Sequence, residues 1–168
     1  NTLAYMISER FQRLPIYQAL ARQDGIHMPD THSKTRLGEA VTVMRKDPMV
    51  LPAALPVADA IEQLKDSPFD AWPVSDSGRF KGMVRHADLA RAVSLESQHS
   101  TLGQLLEQPE SFPHVHPDQP LPVVLERMGS SGLNVLPVVS RANLHDLVGI
   151  VVLDDVLTAY GFAARGNK

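Results

Sequence analysis

The sequence carries one pattern twice, about 65 residues apart, which is the signature of an internal structural repeat. In the first copy, Trp72–Ser75 is followed by Gly82–Asp88, which has glycine at its start and aspartate at its end. In the second copy, Leu136–Val139 is followed by Gly149–Asp155 with the same spacing. Because two matched copies need matched folds, the chain is expected to contain two similar units packed against each other.

Each copy predicts the element order β-α-β-β-α. A Leu-Pro-Val tripeptide opens an amphipathic stretch at Leu55 and again at Leu121, and proline is favoured in the first turn of a helix. Asp76-Ser77-Gly78 is typical of a hairpin turn between two strands. The predicted strands lie at 49–51, 71–75, 80–85, 135–139 and 147–151, with a short one around Val115. Besides the helix that follows Leu55, helices are predicted at 87–93, 102–106, 122–128 and 154–160.

The predicted fold class is therefore α/β (α+β), with two repeats related by pseudo-two-fold symmetry. The repeats are expected at residues 37–99 and 100–162, and residues 163–168 form a tail. Residues 1–36 belong to neither repeat; their apolar spacing predicts a helical linker. The chain begins with Asn1 rather than methionine, so it is interpreted as a piece of a longer protein.

Composition excludes several classes of function. The formal charge of −3 gives no basic excess for nucleic-acid binding. Cysteine is absent, so no disulfide framework exists. No apolar run approaches the ~18 residues of a membrane helix. No nucleophile elbow or phosphate-binding glycine loop occurs, and the chain is not expected to be an enzyme.

The doubled Pro-Val strand, the hairpin and the Gly-to-Asp motif resemble a tandem pair of CBS domains. The resemblance covers about 37–160. It implies a regulatory module without catalytic activity, which requires no cofactor and in many members binds an adenine nucleotide (ATP, ADP or AMP) between the two copies.

The N-terminal segment indicates which class of CBS-containing proteins the chain resembles. Leu14–Leu20 and the following Gln23–Ile26 are similar to the stretch that joins the membrane domain of CLC chloride channels and transporters to their CBS pair. Leu136–Arg141 is similar to the second CBS domain of that family. The resemblance implies a homodimer attached to its own chloride-transport domain, on the cytoplasmic face of the inner (plasma) membrane. The alternative is a CBS pair from a metabolic enzyme or a free-standing nucleotide sensor.

The resemblance also nominates site residues. Asp88 and Asp155 occupy the position whose carboxylate accepts from ribose hydroxyls in nucleotide-binding members. The hydroxyl residue three positions earlier is replaced by Arg85 and Val152. Arg85 either pairs with a phosphate or lies on the surface. Either aspartate could instead serve only to stabilise the first turn of its helix.

Phe69 and a histidine pair complete the candidates. Phe69 lies where some CLC domains present an aromatic ring to adenine; the alternative is core packing. His114 and His116 would share one face of a strand, but no third ligand is evident, so no metal site is expected.

Overall fold

The computed structural model describes residues 38–95, 100–106 and 112–162. The first repeat contains α1, β1, α2, β2, β3 and α3, and the second contains α4, α5, β4, β5 and α6. Their bounds are Ala40–Val43 (α1), Leu51–Pro52 (β1), Val57–Leu64 (α2), Ala71–Asp76 (β2), Arg79–Arg85 (β3), His86–Ser94 (α3), Leu102–Leu105 (α4), Leu121–Ser131 (α5), Val135–Val139 (β4), Leu147–Val152 (β5) and Leu153–Ala159 (α6).

The sheet of the first repeat has the strand order β1-β2-β3. β1 pairs in parallel with β2, which forms an antiparallel hairpin with β3. The predicted turn is present, and both Ser77 and Gly78 have positive φ, at 51° and 77°. Such a turn matches the twist of the strands that it joins.

The sheet of the second repeat consists of the antiparallel pair β4-β5. The strand predicted around Val115 is reduced to a single parallel bridge from Val115 to Val138. Proline at positions 113 and 117 explains this, because proline has no N–H to donate to a ladder.

The two repeats exchange their first helices, which the sequence pattern did not predict. α1 of the first repeat joins the second, where Ala40 N–H donates to Gln119 O at 2.8 Å. Reciprocally, α4 joins the first repeat, where Leu102 N–H donates to Leu55 O at 2.9 Å. Each repeat therefore completes the other, which makes one pseudo-two-fold unit.

Corresponding hydrogen bonds in the two repeats follow the same pseudo-two-fold symmetry. His86 N–H donates to Asp70 O in the first repeat, and Leu153 N–H donates to Asn134 O in the second. These two acceptor residues also meet, with Asn134 Nδ2 3.2 Å from Asp70 Oδ2. The helices that begin at 86 and 153 thus start on opposite sides of one junction.

The buried apolar residues form two clusters, and each includes residues from both repeats. In α2 the buried residues are Val57, Ala60 and Leu64, and Ile61 is only partly buried. Trp72 is 1% exposed in the same core. The second core contains Leu136 and Met128, which are fully buried.

Several predictions concern segments outside the described residues: the linker at 1–36, the CLC-like string within it and the tail at 163–168. Among the helices of the described ranges, none has the length and apolar character that crossing a bilayer requires.

Candidate functional site

The Asp155 carboxylate lies in the first turn of α6 and is held by Arg45 of the other repeat. Arg45 Nε donates to Oδ2 at 2.7 Å and Nη2 donates to Oδ1 at 3.1 Å, which makes a bidentate pair. The side chains are 49% and 31% exposed, so the pair stabilises the fold by no more than about 1 kcal/mol. The hydrogen bond to Asp155 raises the pKa of Arg45 further, which keeps its charge at any physiological pH.

Phe69 lies beside the same guanidinium. The Arg45 Cζ atom is 5.4 Å from the centroid of the Phe69 ring, within the range of a cation–π contact. Phe69 is half-buried: one side packs on the cores and the other faces a cavity. The packing on the cores fits the interpretation as a core residue, and contact of the ring with adenine stays a prediction.

A cavity of about 130 Å³ lies between the two repeats and is lined by Arg45, Met49, Phe69, Trp72 and Ile150. Sites for drug-sized ligands are typically ~300–1,000 Å³. As it stands, the cavity is too small for a whole nucleotide. Arg45 forms part of its wall, so movement of that side chain would enlarge it.

Arg45 reaches this place because its backbone is paired with β5. Arg45 N–H donates to Ile150 O at 2.8 Å, and Ile150 N–H donates to Arg45 O at 3.0 Å. The position is fixed by the exchange of α1, which ends two residues before it. The backbone is therefore anchored, while the half-exposed side chain retains freedom to move.

Val152 precedes α6 at its N-cap and makes no side-chain capping bond there. A hydroxyl in this position could accept from a backbone N–H of the first turn or bind a ligand phosphate, and valine can do neither. The site around Asp155 thus lacks one polar group that the resemblance implies.

The corresponding Asp88 at the start of α3 is bound within its own repeat. Arg85 Nε and Nη2 donate to its two carboxylate oxygens at 3.0 and 3.1 Å, and the Arg85 backbone N–H donates at 3.0 Å. The Asp88 side chain is 15% exposed. The Arg85 side chain, which is 39% exposed, therefore pairs with the neighbouring aspartate and neutralises its charge.

Burial alone would raise the pKa of Asp88, but the hydrogen bonds from Arg85 and the charges of Arg85 and Arg91 outweigh it and lower that pKa. A carboxyl whose pKa is lowered by folding stabilises the fold above its unfolded pKa of about 3.9. That contribution disappears as the pH falls through the lower, folded pKa.

Asp88→Asn is expected to reduce the free energy of unfolding by about 1 kcal/mol at pH 7, because the charge-assisted contacts are lost. The difference from wild type should shrink as the pH is lowered from about 4 to 3. Urea unfolding at a series of pH values measures this difference in the free energy of unfolding. Asp59→Asn, at an exposed position in the first turn of α2, is the control and should change stability by only a few tenths of a kcal/mol. A difference that is constant with pH would contradict this assignment.

The structure thus separates the predicted site residues into two groups. Phe69 and Asp155 both contact the side chain of Arg45, whereas Arg85 and Asp88 pair with each other in the other motif. Sequence analysis missed Arg45, which connects the first two residues. It lies outside the repeated motif, and the only available signal was a basic residue shortly before the first strand.

His114 and His116 line a separate, open groove of about 670 Å³ with Arg127 and Arg141. The imidazole centroids are 5.4 Å apart. In the part of the chain that the structure describes, no three His, Cys, Asp or Glu side chains are grouped to hold a metal ion.

Comparison with known proteins matches residues 38–95 and 110–161 to the family model of the CBS domain. No curated protein matches the chain significantly. Among solved structures, the chain is similar to the CBS domain pair of protein MJ0100 in complex with 5′-methylthioadenosine and S-adenosyl-L-methionine (TM-score 0.62, 21% identity, 74% of this chain and 96% of that chain). It is also similar to CBSX2 in complex with AMP (TM-score 0.62, 23% identity, 73% and 95%) and to Hypoxic Response Protein I with two coordinated zinc ions (TM-score 0.60, 20% identity, 72% and 98%).

These matches agree with the exchanged helices and the two related sheets. The family model covers more than half of the chain, once in each repeat. The chain therefore belongs to the CBS domain family and contains a tandem pair of CBS domains.

Proposed function

We propose that this CBS pair is a regulatory module that binds an adenine nucleotide at the cleft of Phe69, Arg45 and Asp155. The observation that carries the proposal is that Arg45, which lines the cavity between the repeats together with Phe69, contacts both the Phe69 ring and the Asp155 carboxylate, so that a ring and a carboxylate lie next to one guanidinium at the cavity wall. A base can stack on the ring, and the carboxylate can accept from ribose hydroxyls. The complexes of MJ0100 and CBSX2 with adenosine compounds support this ligand class.

The Asp88 motif is not included in this binding site. Its carboxylate already accepts three hydrogen bonds from Arg85, and the side chain is mostly buried. A ligand would have to break a local, well-satisfied contact there. A ligand that binds beside Asp155 has to displace only one half-exposed side chain, that of Arg45.

The wider proposal is that the module regulates a CLC-type chloride channel or transporter from the cytoplasmic face of the membrane and catalyses no reaction itself. The support is the similarity of Leu14–Leu20 and Leu136–Arg141 to that family. The proposal includes a homodimer, and the exposed apolar residues Val93 and Leu95 at the end of α3 offer surface for it.

A metabolic-enzyme regulator or a free-standing sensor remains the alternative parent. The reading frame upstream of Asn1 distinguishes them. About ten hydrophobic segments there would support the chloride-transport proposal, whereas a catalytic domain or a start codon close to Asn1 would replace it with the alternative.

Calorimetric titration with ATP, ADP and AMP tests nucleotide binding, and the fluorescence of Trp72, the single tryptophan, provides a second readout because it lines the cavity. Asp155→Ala is expected to weaken binding roughly tenfold or more, since charge-assisted bonds to hydroxyls contribute about 1.5–3 kcal/mol. Asp146→Ala is the control: it removes the same charge from an exposed position that does not act on Arg45 and should change affinity by less than about threefold.

Absence of heat and of a fluorescence change at about 1 mM nucleotide, which corresponds to ~4 kcal/mol of binding, would overturn the sensor proposal. Equal effects of the two aspartate variants would leave binding in place and remove Asp155 from the site.

A further inference from the structure

Arg45 occupies both of the contacts that the proposed ligand would use. Its guanidinium lies over the face of Phe69, where the base would stack, and it binds both oxygens of Asp155, where the ribose would bind. The Arg45 side chain thus occupies the positions that both the base and the ribose would take. A nucleotide can stack on that part of the ring, or take the positions of the guanidinium on the carboxylate, only after Arg45 leaves.

The displacement is confined to the side chain. The Arg45 backbone is paired in both directions with Ile150 of β5, so the residue stays at the edge of the cleft when its side chain moves. The guanidinium is already half exposed, and its pair with Asp155 is of the solvent-accessible kind that contributes little to stability. A ligand present at ordinary cellular concentrations can therefore compete with it.

A displaced guanidinium remains positively charged and needs a new anionic partner. Asp155 is then engaged by hydroxyl groups of the ligand, and the nearby carboxylates are Asp154, whose charge also acts on Arg45, and Asp47, which lines the same cavity. A phosphate of the ligand provides a stronger alternative, because guanidinium and phosphate form bidentate, charge-assisted hydrogen bonds. Adenosine, 5′-methylthioadenosine and S-adenosylmethionine have no phosphate to offer.

Resting on the proposed function, we propose that Arg45 is a built-in occupant of the cleft that adenine nucleotides displace and that then binds their phosphate. The cleft consequently selects phosphorylated nucleotides over adenosine, 5′-methylthioadenosine and S-adenosylmethionine. Arg45 is thus the residue that determines specificity, and it sets the modest affinity of the site, since every ligand first has to break the contact with Asp155.

The test compares wild type, Arg45→Gln and Arg141→Gln in titrations with ATP and adenosine, read by calorimetry and by Trp72 fluorescence. Wild type is expected to bind ATP at least about tenfold more tightly than adenosine, the effect of one charge-assisted contact. In Arg45→Gln the ATP affinity should fall and the adenosine affinity should rise, so that the ratio drops to about threefold or less.

Arg141→Gln is the matched control. Arg141 also binds an aspartate, Asp118, through its Nε atom, and it lines the separate groove with the histidines. This variant removes the same charge from the protein and should retain the wild-type ratio.

Two results would overturn the inference while the proposed function stands: equal affinities of wild type for ATP and adenosine, or an unchanged ratio in Arg45→Gln. Failure of both wild type and Arg45→Gln to bind any nucleotide would overturn the proposed function and the inference together. Binding by Arg45→Gln alone would also overturn the inference, because Arg45 would then close the site without binding the phosphate.

Discussion

Gly149→Ala is expected to lower the free energy of unfolding by about 2–4 kcal/mol and to displace Arg45 from the cleft. A Cβ atom at position 149 would lie 2.5 Å from Arg45 O and 3.3 Å from Arg45 C. Both are backbone atoms, so no rotamer change can relieve the overlap. Overpacking in a well-packed interior typically costs 1–3 kcal/mol.

The hydrogen bonds beside this contact add to the loss. The Arg45 backbone can avoid the new methyl group only by moving away from β5, which breaks both of its hydrogen bonds with Ile150. Each such bond contributes about 0.5–1.5 kcal/mol. The same movement withdraws the guanidinium from Asp155, so the change in stability and the change at the site have one cause.

Urea unfolding followed by circular dichroism measures the effect, with Gly103→Ala as the control. The added Cβ at position 103 would lie 3.2 Å from Ala53 O, a tight contact but not an overlap. Because alanine also favours the helix by up to about 1 kcal/mol over glycine, stability should stay within about 1 kcal/mol of wild type. A Gly149→Ala protein as stable as Gly103→Ala would refute the close-approach argument.

Gly149 illustrates what could be predicted from the sequence. The repeated glycine correctly marked the returning strand of each hairpin, because apolar residues flank it and a turn precedes the strand. The reason for glycine at this place could not be predicted. It depends on the Arg45 backbone, which comes from more than a hundred residues earlier and reaches β5 only because α1 is exchanged between the repeats.

The same limit applies to the candidate site. The motif and the resemblance nominated Asp155 and Phe69, which lie in or next to elements that the repeat pattern identifies, and their role in binding stays a prediction. Arg45 follows a helix of only four residues, which is too short for a periodic signal. Its pairing with Asp155 is a long-range contact, and a single sequence carries no local trace of one.

The contact between Arg85 and Asp88 is local, so it was more predictable from the sequence than the contact between Arg45 and Asp155. Three residues separate them at the start of a helix, where a side chain at the third helical position commonly reaches back to the residue before the helix. This local rule was sufficient to predict the contact. The resemblance to nucleotide-binding members instead favoured a phosphate or the solvent as the partner of Arg85, and the local geometry provides an aspartate.

Trp72→Ala is expected to cost about 3–5 kcal/mol, the range for removing a large buried aromatic side chain. The indole is 1% exposed in the core of the first repeat, and its Nε1–H donates to Ser67 Oγ at 3.0 Å. Ser67 Oγ also accepts from the Phe69 backbone N–H at 3.4 Å. Loss of the indole therefore empties a large volume and releases the turn that positions the Phe69 ring.

Trp72→Phe separates these two contributions, because it retains most of the apolar volume and removes only the N–H donor. Its cost is expected to be about 1–2 kcal/mol, the sum of a lost hydrogen bond and imperfect packing. Circular dichroism in urea is the appropriate measurement, since both variants lose the fluorophore. If Trp72→Ala lost less than about 1.5 kcal/mol, the indole would not be filling the core as the structure has it. If Trp72→Phe left stability unchanged but weakened nucleotide binding, the indole N–H would act through the Ser67 turn on Phe69 rather than through the core.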